Sequence, residues 1–187
     1  MRYEIKDPDV RLRELVLHIA RESEGDDFFG MVKLNKLLFY MDFLAYRAIG
    51  KSVTGQLYQA LDQGPAPKRM LPILKAMQKK GDLALREEPF FGDTQKRPLA
   101  LREANLSSFS SAEILLIERT IKRFWKMSAK HISEQSHEFL GWSLAEKAEM
   151  IPYSVALLGR EELSDAQKRH VHIAEKRAKK WLESRAT

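Results

Sequence analysis

From Lys33 to Leu44 the chain reads Lys-Leu-Asn-Lys-Leu-Leu-Phe-Tyr-Met-Asp-Phe-Leu, an apolar run interrupted only by Lys33, Asn35, Lys36 and Asp42. Leu34, Leu37, Leu38 and Met41 fall at i, i+3, i+4 and i+7 and form one helical stripe, with Phe39, Tyr40, Phe43 and Tyr46 on its flanks. A helix over about 31–49 that is apolar on so much of its surface belongs in the middle of a fold, and the other elements must wrap around it. Asn35 and Asp42 lie seven apart, near one face of that helix. Buried without partners they would cost a few kcal/mol, so they are expected to bond a neighbouring element such as the Gly64-Pro65 turn, with Lys33 and Lys36 doing the same.

Helical periodicity governs most of the remaining chain. Leu12, Leu15, Val16 and Ile19 predict an amphipathic helix over about 8–23, started by Pro8 and ended by Gly25-Asp26-Asp27. The segment Thr54 to Leu61 alternates in strand fashion, and Gly64-Pro65-Ala66-Pro67 after it predicts a turn. Met70, Ile73, Leu74 and Met77 restart the helical period up to Gly81, with Pro72 either starting the regular part of that helix or kinking it. Leu83–Arg86 and Arg97–Leu101, separated by Pro89-Phe90-Phe91-Gly92-Asp93, predict a hairpin. Ser110 with Glu113 forms a capping box for a helix over about 111–126, buried through Ile114, Ile117, Ile121 and Phe124. Ser128 is placed to cap a new short helix through Ile132, Gln135 and Phe139. Residues 160–187 read as a basic amphipathic C-terminal helix capped by Ser164, with the narrow seam Val171, Ala174, Ala178 and Trp181.

The fold class that follows is mainly α with a small β component (α+β): a compact helical domain around a buried central helix, carrying a short strand and a β-hairpin. Helix, strand, helix and hairpin in that order give the N-terminal half a winged-helix-like arrangement. At 187 residues and 44% hydrophobic, residues 1–187 fit a single domain. With no cysteine, disulfides, thiol nucleophiles and cysteine-ligated metals are excluded. Neither an apolar signal core nor a run approaching the ~20 residues of a membrane span is present, so the expectation is a soluble, cytoplasmic protein without a membrane partner.

The net charge of +6 is localised. Arg119, Lys122, Arg123, Lys126 and Lys130 give five positive charges in a window without an acid, and residues 168–185 hold seven bases against Glu175 and Glu183. Such runs usually form a solvated face, and they also suit an acidic partner or nucleic acid. Catalytic signatures are missing: there is no glycine-rich phosphate loop, no Gly-x-Ser-x-Gly and no His-Glu-x-x-His. His131 and His137 with Glu134 and Glu138 make one mixed cluster, which lacks a third well-placed ligand; His137 reads as a structural histidine, and His170 and His172 as solvent-facing. No enzyme activity, cofactor or metal is expected.

Several motifs occur together in order. They are Lys33-Leu34-Asn35-Lys36-Leu37-Leu38-Phe39-Tyr40-x-Asp42, Gly50-x-x-x-Thr54-Gly55-x-x-Tyr58-x-Ala60-x-x-x-Gly64-Pro65-x-Pro67, Ile132-Ser133-x-x-Ser136-His137-Glu138 with Trp142, and Ile151-Pro152-Tyr153. Over about residues 10–155 this set resembles the Panacea domain, the SocA-like antitoxin family. The resemblance implies an antitoxin of a two-gene, often phage-borne, toxin–antitoxin system that neutralises a cognate toxin, encoded next to it, by direct protein binding. It also implies that no catalytic residues carry over. One branch of the family acts as a proteolytic adaptor to the ClpXP protease. One departure is visible: Phe139-Leu140-Gly141 stands between Glu138 and Trp142, where the family usually has a polar or proline-containing link.

On that reading the expected partner-binding residues are Tyr58, Gln59, Asp62, Pro65 and Pro67, together with His137, Glu138 and Trp142. The prolines fix φ and lower the entropy lost on docking, while Tyr58 and Trp142 offer large area with a polar handle; core packing is the competing role for both aromatics. The alternative reading is a nucleic-acid-binding transcriptional regulator, with Arg119, Lys122, Arg123, Lys126 and Lys130 meeting operator DNA. Pro72 weakens Lys68–Lys80 as a recognition helix. Oligomerisation is left open by the sequence.

Overall fold

A computed structural model of the chain describes residues 5–136 and 149–157. Helix α1 (Pro8–Glu22) starts with proline in its first turn, where the missing N–H removes no helical hydrogen bond. Helix α2 (Met31–Ile49) stops at Gly50, whose φ of 73° is the left-handed C-cap geometry that glycine adopts without steric penalty. Between the two, a Cβ on Gly30 would stand 2.6 Å from Gln95 Oε1, the free end of a side chain that would have to swing aside.

Helix α2 is the core of the molecule. Leu34, Leu37, Leu38, Phe39, Tyr40, Met41, Phe43 and Ala45 are all buried, and the helix is contacted by other helices and by both sheets. The polar positions are covered too: Lys33, Lys36 and Asp42 are buried with the rest.

The first sheet departs from expectation in an instructive way. Strand β1 begins at Tyr58 rather than Thr54 and runs to Leu61; Gly64–Pro67, expected as a turn, is strand β2, and the turn itself is Asp62-Gln63. The register pairs Leu61 with Gly64, Gln59 with Ala66 and Tyr58 with Pro67. Prolines are tolerated here because β2 is an edge of the order β2-β1-β5, and because Pro65 and Pro67 occupy alternate positions. The ladder continues past them, Lys68 N–H donating to Leu57 O at 2.8 Å. Strand β5 (Met150–Ile151) pairs with the other side of β1, and a short 3-10 turn (Tyr153–Leu157) follows.

Helix α3 (Met70–Lys80) holds Pro72 in its first turn, so the proline starts the helix and does not kink it. The hairpin is longer than its alternating runs suggested: β3 (Leu83–Phe90) and β4 (Asp93–Ala100) pair over their full length around the two-residue turn Phe91-Gly92. Both turn residues have positive φ, 47° and 85°, as a type I′ turn requires. Helix α4 (Ser111–Arg123) carries the expected capping box, Ser110 N–H donating to Glu113 Oε2 at 2.7 Å and Glu113 N–H to Ser110 Oγ at 3.4 Å. It ends at Arg123, three residues before its expected end. Helix α5 (Ala129–Ser136) then starts afresh, with His131 N–H donating to Ser128 Oγ. The fold is therefore mainly helical, with two small antiparallel sheets among the described residues. The expected C-terminal helix over 160–187 lies outside the described residues.

Candidate partner-binding site

The polar residues of α2 each tie a different loop to the core. Asp42, fully buried, accepts from Thr54 N–H at 2.6 Å, from the Thr54 hydroxyl, and from Tyr58 Oη–H at 2.7 Å. Burial pushes its carboxyl above the usual carboxylate range, against the pull of these donors. Tyr58 is pushed well up by its own burial and by Asp42. The Tyr58 ring lies edge-on to Phe39 and Phe43, at 5.8 and 5.4 Å between centroids. Tyr153 closes this cluster, its hydroxyl donating to Gln56 O at 2.5 Å.

Lys36 Nζ donates to Gln63 O at 3.0 Å and so fastens the β1–β2 turn. Burial alone lowers its pKa to about 8. Gly64 lies over this ammonium: its φ is 108°, and a Cβ there would stand 2.8 Å from Lys36 Nζ. Lys33 binds Asp26 Oδ2 at 2.6 Å and Met127 O at 2.7 Å, joining the α1–α2 loop to the α4–α5 corner. Its pKa is lowered by burial, with Asp26 pulling the other way. The expectation that α2 polar groups bond neighbouring elements holds for Lys33, Lys36 and Asp42, with Thr54 and Tyr58 in place of the Gly64-Pro65 turn as Asp42's partners. Asn35 differs: its Oδ1 is buried with no hydrogen-bond partner among the described residues.

This anchoring decides what a partner can reach. Tyr58 is 1% exposed, and Pro65 and Pro67 are buried, so those three expected contact residues are covered in the folded domain. The physical reason is the strand parity of β1: Tyr58 and Ala60 point inward, while Gln59 is half-buried and Leu61 exposed. Asp62 is exposed on the turn. Leu57, two residues before Gln59, is 61% exposed, and the exposed Met150 pairs with Gln59 across the sheet. The outward side of β1 thus gathers Leu57, Gln59, Leu61, Asp62 and Met150. His137, Glu138 and Trp142 lie outside the described residues.

Arg119, Lys122, Arg123, Lys126 and Lys130 are all exposed, but they are divided between α4, the turn after it and α5, because the chain turns at Lys126 with a φ of 56°. His131 and Glu134 face each other at 3.8 Å on the surface of α5. Among the described residues no group of His, Asp and Glu is placed to hold a metal, and no helix is long and apolar enough to cross a membrane.

Two features escaped the sequence. Arg97, on a strand that reads as a polar hairpin arm, is buried and donates to four carbonyls of the α1–α2 loop: Ser23 O, Glu24 O, Asp26 O and Phe29 O. Nothing in its local pattern marks that role. Phe91 at the hairpin tip is 84% exposed and stacks on Phe28 at 5.7 Å. Here a signal existed, since two adjacent phenylalanines beside a turn glycine leave at least one ring facing outward.

No curated protein and no solved structure matches the chain. A family model described as "Antitoxin SocA-like, Panacea domain" matches residues 34–143, a stretch that starts inside α2 and takes in β1, β2, α3, the β3–β4 hairpin, α4 and α5. That match spans more than half of the 187 residues, and the chain belongs to the SocA-like antitoxin, Panacea domain family.

Proposed function

We propose that this protein is an antitoxin that neutralises a cognate protein toxin by direct binding, without catalysis. The observation that carries the reading is the family match over residues 34–143. The geometry supports it with a surface suited to docking. The outward side of β1 offers the exposed aliphatic side chains Leu57, Leu61 and Met150 beside polar Gln59 and Asp62. Lys36 and Asp42 fasten the backbone beneath it from the core, so little order remains to be gained when a partner lands. An apolar centre with a polar rim is the usual anatomy of a protein interface.

The test is co-expression. Expressing the adjacent reading frame alone should arrest growth, and this chain should restore it. A Leu57→Asp/Leu61→Asp variant with an unchanged thermal transition should fail to rescue; full rescue by that variant would remove the β1 surface from the account, and no rescue by the wild-type chain would remove the antitoxin reading. The adaptor role implied by the family resemblance predicts that toxin levels fall on co-expression only where ClpXP is active.

A further inference from the structure

The corner between α4 and α5 takes no part in the proposed toxin-binding surface. Arg119, Lys122 and Arg123 emerge from the exposed face of α4, Lys126 from the turn, and Lys130 from the first turn of α5. None of these five has a carboxylate partner among the described residues. The acids nearest in sequence are committed elsewhere: Glu118 Oε1 lies 2.6 Å from His18 Nε2, and Glu134 faces His131. Five cations with no carboxylate partner among the described residues repel one another, and like charges at helical spacing are mildly destabilising. A solvated face that served only solubility would more often interleave the two signs.

The corner is also built to hold its shape. Lys126 adopts a left-handed φ of 56°, unusual for a residue with a side chain, and its N–H is held by Asp26 Oδ2 at 3.3 Å. The same carboxylate pairs with Lys33, which also binds Met127 O, so a fully covered ion pair clamps the turn from beneath. Trp125 is thereby left 37% exposed among the bases, its ring packed beside Gly25. The Arg123 guanidinium rests 5.2 Å from the centroid of the Phe124 ring, which restricts its motion.

We propose that this corner is a docking site for the phosphate backbone of a nucleic-acid duplex, a binding activity separate from the neutralisation of a toxin. Charge complementarity selects the occupant. A duplex presents about one phosphate charge per 1.7 Å of axis, so several anions meet several separate cations at once without any individual pocket. Arg119 and Arg123 stand one helical turn apart, about 6 Å along α4, and offer forked donors suited to phosphate oxygens. Contacts of this kind fix position and carry no sequence preference by themselves.

The experiment is fluorescence anisotropy of the full chain with a labelled 20-base-pair DNA duplex of arbitrary sequence, and with an RNA duplex of equal length, from 50 to 200 mM KCl. The expected result is saturable binding whose affinity falls with salt at a log–log slope of about −4, for four or five phosphate contacts. The variant Lys122→Glu/Arg123→Glu should weaken binding at least about tenfold and make that slope shallower by about 2. The matched variant Lys75→Glu/Lys79→Glu, which changes the net charge equally on exposed positions of α3, should bind as the wild type does. A preference for one duplex would show whether DNA or RNA is the source of the phosphates. Absence of binding at 50 mM KCl, equal loss in both variants, or equal affinity for poly-glutamate would overturn the proposal.

Discussion

At the residue scale, the polar side chains of α2 show how a buried charge is tolerated and what it costs. Lys36 donates to the Gln63 carbonyl, and burial brings its pKa down to about 8 when the chain folds. The unfolded chain, with an ordinary lysine, therefore binds more protons than the folded one above pH 8, and stability must rise with pH in that window. We expect Lys36 to contribute about 2 kcal/mol of gain between pH 8 and 10, read in urea denaturation as the difference in pH dependence between the wild type and Lys36→Met. Above pH 10 the trend should reverse: Tyr58 and Tyr153 are both held protonated by burial in the folded state, while the unfolded chain ionises them. Tyr58→Phe removes one of the donors to Asp42 and should cost about 1–3 kcal/mol by the same measurement, because the carboxylate then keeps a lone pair unsatisfied.

At the element scale, the β1–β2 hairpin and the α1–α2 loop are shaped by contacts distant in sequence. Gly64 combines positive φ with an ammonium beneath it, so Gly64→Ala should destabilise the domain by about 1–3 kcal/mol in thermal denaturation. Arg97→Ala leaves four loop carbonyls without their buried donor and should cost more, about 3–5 kcal/mol, with loss of amide exchange protection concentrated in Ser23–Phe29. These two positions also mark where the sequence was legible. Helix boundaries governed by local chemistry, such as Pro8, Gly50, Gly81 and the Ser110–Glu113 box, could be read directly. Gly64–Pro67 could not: its composition signals a turn, and it becomes a strand only because β1 pairs with one side of it and α2 covers it. Local propensity carries no record of either contact.

At the scale of the whole molecule, one apolar helix organises everything around it, and its signature residues act on the surface from below. Leu38→Ala, at the centre of α2, should cost about 3–5 kcal/mol and abolish function with the fold. The central place of the helix was legible, because an all-round apolar pattern has no other home. The contact surface was legible only in part. Strand parity puts Tyr58 inside and Gln59 outside, and a one-residue slip in the register of β1 would exchange those faces. In the proposed function the folded domain neutralises a toxin by holding it. Titration calorimetry of the purified chain against the product of the adjacent gene tests it most directly. A saturable complex is expected, weakened at least about tenfold by Leu57→Asp/Leu61→Asp, with a loss that matches the loss of growth rescue. Growth rescue by a chain that gives no heat and forms no complex with the toxin would contradict it.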